Sequence, residues 1–256
     1  MKEKLYMIPL NDAVDAKDEC PFCYIERTIE QNLLDFTLGT GSSYMESNIR
    51  EKTDQEGFCK EHSKKLFQYG NTLGNAWILK SRMQKVRTDF TSAAKKCQIA
   101  SHVSSAHLLP SKKELSNIAP MLSMIQHMED NCYICNQFNE HYARYRSTFF
   151  ELYLKDPVFH DKVMSGKGFC LPHFKDLIET ASGQLNRTQQ AQFFPPMFSL
   201  MERNLDRLYD DVSWMIEKFD YRNKDADWKT SKESIQNCMQ KLKSGYPSDP
   251  PYTQKL

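Results

Sequence analysis

The chain has 256 residues, a formal net charge of +1 and 40% hydrophobic residues. This length suits one large domain or two of ordinary size, and the apolar content is sufficient for a core. A total charge near zero gives no indication of a polyanionic partner. No apolar run reaches the roughly 18 residues of a membrane helix, and Pro9 interrupts the short N-terminal run, so we expect a cytoplasmic protein.

The first cysteine motif of the chain is CPFC at residues 20–23. The residues that follow have apolar side chains at helical spacing, which predicts a helix on a core: Ile25, Ile29, Leu33 and Phe36. GFCKEH follows at 57–62, and a longer helix is expected to begin near His62. An apolar stripe in that helix is predicted to face the core: Leu79, Met83, Val86 and Phe90.

The second half shows the same order of elements. CYIC at 132–135 precedes another stripe at helical spacing: Phe138, Tyr142, Tyr145, Phe149 and Leu152. Asp156 and Pro157 have the residue types of an N-cap and first helical position, so a short helix is expected there. GFCLPH at 168–173 precedes a last long helix, with a break expected at Pro195 and Pro196. Because no sustained β-type alternation occurs, the sequence predicts an all-α fold.

Each motif of the first half occurs again in the second half, and the two motifs have nearly the same separation between copies. This separation is 112 residues for Cys-x-x-Cys and 111 for Gly-Phe-Cys-x-x-His. This agreement indicates an internal duplication. We predict an internally duplicated helical bundle with two Cys3His metal-clamped units and pseudo-twofold symmetry. The first repeat is expected over 1–110 and the second over 111–225, followed by a C-terminal helix and a frayed tail over 226–256.

The spacing of cysteine and histidine in both motifs is typical of zinc ligands, because two ligands from one tight turn reach the same ion. In a reducing compartment this pattern favours a metal over disulfides. We predict that each repeat binds its own zinc ion in a structural role. One ligand set is then Cys20, Cys23, Cys59 and His62, and the other is Cys132, Cys135, Cys170 and His173.

Two other uses of these residues stay open. Three cysteines and a histidine also bind iron-sulfur clusters, and CPFC resembles the active site of thiol oxidoreductases. The run before CPFC is acidic, unlike the apolar strand that precedes a thioredoxin-type motif. No catalytic signature occurs, so we favour a binding or adaptor module over an enzyme. A redox or metal-handling protein is the alternative.

Local charge suggests a further alternative. Between residues 60 and 96 nine Lys or Arg residues face only two acidic ones, Glu61 and Asp89. A basic helix of this kind is typical of a nucleic-acid or acidic protein partner, and it is also typical of a solvated surface. The cations considered most available for a partner are Lys80, Arg82, Lys85 and Arg87.

The two motif pairs and the segments around them resemble a bacterial family defined only as domain of unknown function 6062. The stretches that carry the resemblance include SYMESNIREKTDQEGFCKEH, CYICNQFNEHYARYRSTFFELYLKDPVF and MIEKFDYRNKDADWKTSKES, and together they cover nearly the whole chain. The resemblance implies paired metal-type motifs at the eight positions given above. It implies no particular activity.

Overall fold

The computed structural model describes residues 3–16, 18–41, 43–97 and 117–253. Within these ranges the regular structure is entirely helical, which confirms the all-α prediction. The α-helices are α1 Glu3–Asp15, α2 Pro21–Leu38, α3 Ser47–Glu56, α4 Lys60–Tyr69, α5 Thr72–Lys96, α6 Ala119–Asp130, α7 Tyr133–Lys155, α8 Pro157–Ser165, α9 Leu171–Gln184, α10 Arg187–Glu217 and α11 Ser234–Lys243. None of these helices is long and apolar enough to cross a membrane.

The chain forms two compact units, and neither is a continuous stretch of sequence. Unit 1 comprises Met1–Ile29 and Glu140–Pro250, and unit 2 comprises Glu30–Asn139 and Pro251–Leu256. Each unit therefore takes segments from both predicted repeats. The predicted boundary at residue 110 lies outside the described residues. The duplication, its symmetry and the repeat limits stay predictions.

The core of unit 1 is built from aromatic rings. Phe149 of α7 lies 5.5 Å from Phe22 of α2 and 5.7 Å from Phe169, measured between ring centroids, and both contacts are edge to face. All three rings are almost fully buried. Edge-to-face packing of this kind stabilises a core beyond the area that it buries. It fixes the start of α2 against the loop before α9, where two of the sequence motifs lie.

Unit 2 has a smaller aliphatic core, and α5 contributes less to it than its stripe predicts. The cluster consists of Leu34, Leu38, Tyr44, Leu66, Tyr69 and Ile78. The predicted core stripe of α5 is wrong, because Leu79, Met83 and Phe90 are each more than half exposed. The helix instead turns Ile78 inward and contacts α3 through the opposite side, where Ser81 donates a hydrogen bond to Asp54.

Two expectations about chain ends and breaks also need correction. Helix α10 continues through Pro195 and Pro196, because the fully buried Phe193 and Met197 pack on either side of the prolines. The C-terminal tail is not frayed up to residue 253. Arg27 of α2 donates a hydrogen bond to the Pro250 carbonyl, and Gln31 donates one to the Thr253 carbonyl.

A buried lysine on α11 joins two loops of unit 1. Lys241 is 1% exposed, and its ammonium group donates hydrogen bonds to the backbone carbonyls of Glu19, at 2.8 Å, and Lys167, at 2.6 Å. The Glu19 carboxylate, which is equally buried, is 3.3 Å from Lys241 and 2.6 Å from Arg207. The lysine thus holds the residue before Cys20 against the loop before Cys170.

We predict that Lys241→Met lowers the free energy of unfolding of unit 1 by about 3 kcal/mol, because it removes one of the cations that pair with the buried Glu19 carboxylate and takes the lysine donor away from two backbone carbonyls. Urea denaturation of the variant and of the unsubstituted protein measures this difference. The matched control is Lys243→Met, which removes an exposed lysine from the same helix and should change stability by less than about 0.5 kcal/mol. Equal effects of the two substitutions would contradict the bridging role.

Candidate metal centres

The structure gathers the eight motif residues into two groups of four, and the grouping crosses the predicted repeats. Centre A consists of Cys20, Cys23, Cys170 and His173, and centre B consists of Cys59, His62, Cys132 and Cys135. In each group, one ligand atom per residue lies within 4.8 Å of the others. The predicted pairing within each repeat is therefore wrong, although the predicted residues do cluster. Each centre joins the Cys-x-x-Cys motif of one half to the Cys-x-x-His motif of the other.

Helix lengths explain why the motifs of one half do not meet. Helix α2 has 18 residues and carries the chain about 27 Å away from Cys20, whereas α3, with 10 residues, spans only about 15 Å. The second half repeats this mismatch, because α7 has 23 residues and α8 only nine. The short helix alone does not carry the chain back over the length of the long one, and in the structure each Cys-x-x-His motif lies beside the Cys pair of the other half.

All four motifs lie at helix N-termini. Cys59 and Cys170 are the N-cap residues of α4 and α9, with extended backbone, while Cys20 and Cys132 directly precede α2 and α7. The free N–H groups and the dipole at a helix N-terminus favour negative charge, and thiolates benefit from this position. Two helix N-termini thus point their positive ends at each centre.

The glycine of each GFC sequence has a backbone conformation that explains its presence. Gly57 has φ of 67° and Gly168 has φ of 74°, in the left-handed region that other residues rarely adopt. A side chain at Gly57 would also clash with Arg82, and one at Gly168 would meet Met201. These tight turns let the cysteine two residues later begin a helix.

Both histidines present the same ring nitrogen to the cysteines. In centre B, His62 Nδ1 lies 3.3 Å from the Sγ atom of each cysteine. In centre A, the distances from His173 Nδ1 are between 3.0 and 3.6 Å. The other nitrogen, Nε2, contacts a glutamate of α2, which is Glu30 at 3.0 Å from His62 and Glu26 at 2.9 Å from His173.

The spacing of the sequence motifs does not indicate either glutamate. A carboxylate on the outer nitrogen fixes the orientation of an imidazole and makes its inner nitrogen a better metal ligand. Lys65 and Tyr252 in turn contact Glu30, and Ser244 donates a hydrogen bond to Glu26. The only signal in the sequence is that the two glutamates are four residues apart, on the helix that follows the first Cys pair.

The electrostatics of centre B show that its ligands attract positive charge. Burial opposes protonation of His62, but the Cys132 thiolate and Glu30 outweigh burial and raise the pKa of the imidazole to about 10. Burial also opposes ionisation of Cys132, yet His62 and the backbone N–H of Cys135 lower the pKa of this thiol to about 6. A metal cation that binds here replaces protons as the positive charge among the ligands.

The distances between ligand atoms fit a single tetrahedral ion. Zinc-sulfur bonds of about 2.3 Å at tetrahedral angles place two sulfurs about 3.8 Å apart. The structure has Cys23 Sγ 3.8 Å from Cys170 Sγ in centre A, and Cys59 Sγ 3.9 Å from Cys135 Sγ in centre B. The donor set and its spacing therefore suit zinc without rearrangement.

The centres differ in their access to solvent. All four ligand residues of centre A are buried, and Phe22 and Tyr142 pack against the His173 ring. In centre B only His62 and Cys132 are buried, whereas Cys59 and Cys135 are partly exposed. The two centres thus share one ligand chemistry and differ in burial.

Other residues singled out in the sequence have different outcomes. Of the four cations on α5, Arg82 donates a hydrogen bond to the Asp54 carbonyl and Lys85 forms an ion pair with Asp89. Lys80 and Arg87 are exposed on the same helix. Two of the four cations are thus engaged within unit 2, which reduces the charge that a partner could meet.

The described part of the chain is helical and contains two Cys3His clusters of a kind that could hold a metal ion. The sequence profile of the Family of unknown function (DUF6062) matches residues 1–249, and the chain belongs to this family. It is similar to an "Uncharacterized 23.9 kDa protein in xynA 3'region" from Caldicellulosiruptor sp. (strain Rt8B.4), with 23% identity over 212 residues, 81% of this chain and 85% of that protein. No solved structure matches the chain.

Metal stoichiometry of paired substitutions tests the exchanged grouping. We predict that Cys20→Ser with Cys170→Ser damages only centre A and leaves about one metal ion per chain, because the other four ligands stay intact. Cys20→Ser with Cys59→Ser damages both centres and should leave none. Elemental analysis of the purified variants distinguishes the two.

The control for this experiment is Cys97→Ser with Cys238→Ser, which removes two cysteines outside both clusters and should keep about two ions per chain. Pairing within each repeat would invert the first two results. The inverted pattern would contradict the grouping seen in the structure.

Proposed function

We propose that the protein binds two zinc ions, one in each Cys3His centre, and that the ions hold a helical scaffold used for binding other molecules. The observation that carries the proposal is the convergence of each set of four ligand atoms within 4.8 Å. A closed set of four protein ligands leaves no open coordination position for a substrate, which is typical of structural and not catalytic zinc.

The same spacing bears on the iron-sulfur alternative. A cluster distributes its ligands over two or more iron atoms, so its four ligand atoms cannot all lie as close together as those around one ion. The four ligand atoms of each centre lie within 4.8 Å of one another, which supports a single ion. Free thiols at metal spacing also agree with a reducing compartment, and we propose a cytoplasmic location for this reason.

Metal analysis and metal removal test this proposal. Protein purified without oxygen should contain about two zinc ions per chain and be colourless. Removal of zinc with a chelator should abolish cooperative thermal unfolding, because binding free energy at structural sites is folding free energy, and added zinc should restore it. Brown protein with iron and sulfide would favour the redox alternative, and apo-protein with an unchanged Tm would contradict the structural role.

A second candidate function is nucleic-acid binding along α5. The groove between α3 and α5 has a volume of about 550 Å³. Its lining includes the exposed Trp77 ring and the cations Arg50 and Lys80. The Arg50 guanidinium lies 5.6 Å from the centre of the Trp77 ring, and the Lys80 ammonium lies 5.2 Å from it. Aromatic rings among cations are typical of surfaces that bind single-stranded nucleic acid.

Charge reversal and a salt series test this second function. We predict that Lys80→Glu with Arg87→Glu weakens binding of a labelled single strand and reduces the log-log salt slope by about 1.5, because two phosphate contacts are lost. Fluorescence anisotropy measures both quantities. The control, Arg187→Glu with Lys232→Glu, makes the same charge change at exposed positions of unit 1. Absence of binding at low salt would remove this function.

A further inference from the structure

The two centres have nearly the same ligand geometry, but their cysteines differ in exposure to solvent. Each centre contains a pair of cysteines from different motifs with nearly the same separation of sulfurs, 3.8 Å for Cys23 and Cys170 and 3.9 Å for Cys59 and Cys135. Cys23 is 7% exposed and Cys170 is fully buried. Cys59 and Cys135 are both partly exposed. A small reagent in solution therefore has better access to Cys59 and Cys135 of centre B than to the buried cysteines of centre A.

The two partly exposed cysteines are also close enough to form a disulfide after a small movement of their sulfurs. The two sulfurs must approach from 3.9 Å to about 2.05 Å. Cys59 and Cys135 come from different helices, α4 and α7, and lie at or near their N-termini. The other two ligands of centre B, His62 and Cys132, are buried. Oxidation that begins from solvent is thus directed to one particular cysteine pair.

We propose that centre B is a peroxide-sensitive zinc centre, in which oxidation of Cys59 and Cys135 to a disulfide releases the ion while centre A retains its own. This inference rests on the proposed function, because it requires zinc in both centres. It gives the two centres different roles. Centre A maintains the fold of unit 1, and centre B couples the metal content of unit 2 to the presence of an oxidant.

The chemistry balances with hydrogen peroxide as the oxidant. One thiolate attacks a peroxide oxygen, the O–O bond breaks, and a sulfenic acid and hydroxide form. The second thiolate attacks this sulfur, the S–S bond forms and a second hydroxide leaves. The two sulfurs lose two electrons, the peroxide gains them, and two protons from solvent complete two water molecules. Zinc keeps only His62 and Cys132 as protein ligands, too few for a closed site.

The experiment uses full-length protein whose content of two zinc ions per chain has been measured beforehand. Hydrogen peroxide is added in the presence of a chromogenic zinc chelator, and the released zinc is followed in time. We expect one equivalent of zinc per chain to be released at least tenfold faster than the second. Peptide mapping should find a Cys59–Cys135 disulfide, and a thiol reductant with added zinc should restore the starting protein.

Substitutions that keep a metal ligand make the assignment specific. Cys135→His replaces a thiolate with an imidazole, which still binds zinc but forms no disulfide. This variant should hold two zinc ions and lose the fast phase of release. The control is Cys238→Ser, which removes a partly exposed cysteine outside both centres and should leave the fast phase unchanged.

Each other result overturns the inference in a recognisable way. Release of both ions at equal rates, a disulfide between any other pair, or fast release from Cys135→His would each contradict it while leaving the zinc proposal intact. A chain that never contained two zinc ions would contradict the proposed function, and the inference with it.

Discussion

The charge gathered at each centre is the constraint on which the rest of the structure depends. Two unit charges about 4 Å apart repel by roughly 4 kcal/mol near a protein surface. Each centre contains three cysteine sulfurs within 4.8 Å of one another. One helix N-terminus offsets only about 1 kcal/mol. Two helix ends therefore cannot hold three thiolates together, whereas a divalent cation can. The motifs, the tight glycine turns and the two glutamates of α2 all serve to present the ligands to such a cation.

The exchange of motifs between the two halves has a small entropic cost. Cys20 and His173 are 153 residues apart, compared with about 40 residues for the pairing inside one half. Closing the longer loop costs about 1 kcal/mol more, because the cost grows only with the logarithm of loop length. Zinc binding at sites of this type contributes about 10 kcal/mol or more. Helix packing, and not loop entropy, therefore decides which motifs meet.

The sequence predicts the local parts of the centres well and the long-range parts poorly. Both ligands of a Cys-x-x-Cys or Cys-x-x-His motif lie within one turn, so residues such as Cys59 and His62 are recognisable from spacing alone. Their partners depend on where helices end. A glycine directly follows α2 at Leu38 and α3 at Glu56, so both helix ends could be predicted, but the path of the chain between the two helices could not.

The exposure of the apolar stripe of α5 could not be predicted from the spacing of its residues. Leu79, Met83 and Phe90 share one face of the helix, as their spacing predicts, yet the face is exposed because α3 contacts the other side. Periodicity identifies a face and does not supply its partner. The contacts of Glu26 and Glu30 with the histidines could not be predicted for a related reason. A glutamate on an amphipathic helix usually points to solvent, and only the fold shows that a histidine lies beside each one.

The two centres have the same ligand types and differ in how deeply these ligands are buried. A protein that needed two equivalent clamps would gain from shielding both, since exposed thiolates are open to oxidation and to competing metals. Here the Phe22 and Tyr142 rings pack against His173 and the Ser244 hydroxyl contacts Cys23 in centre A. In centre B, two of the cysteines are partly exposed. The same four-ligand geometry can therefore maintain the fold in one unit and respond to its surroundings in the other.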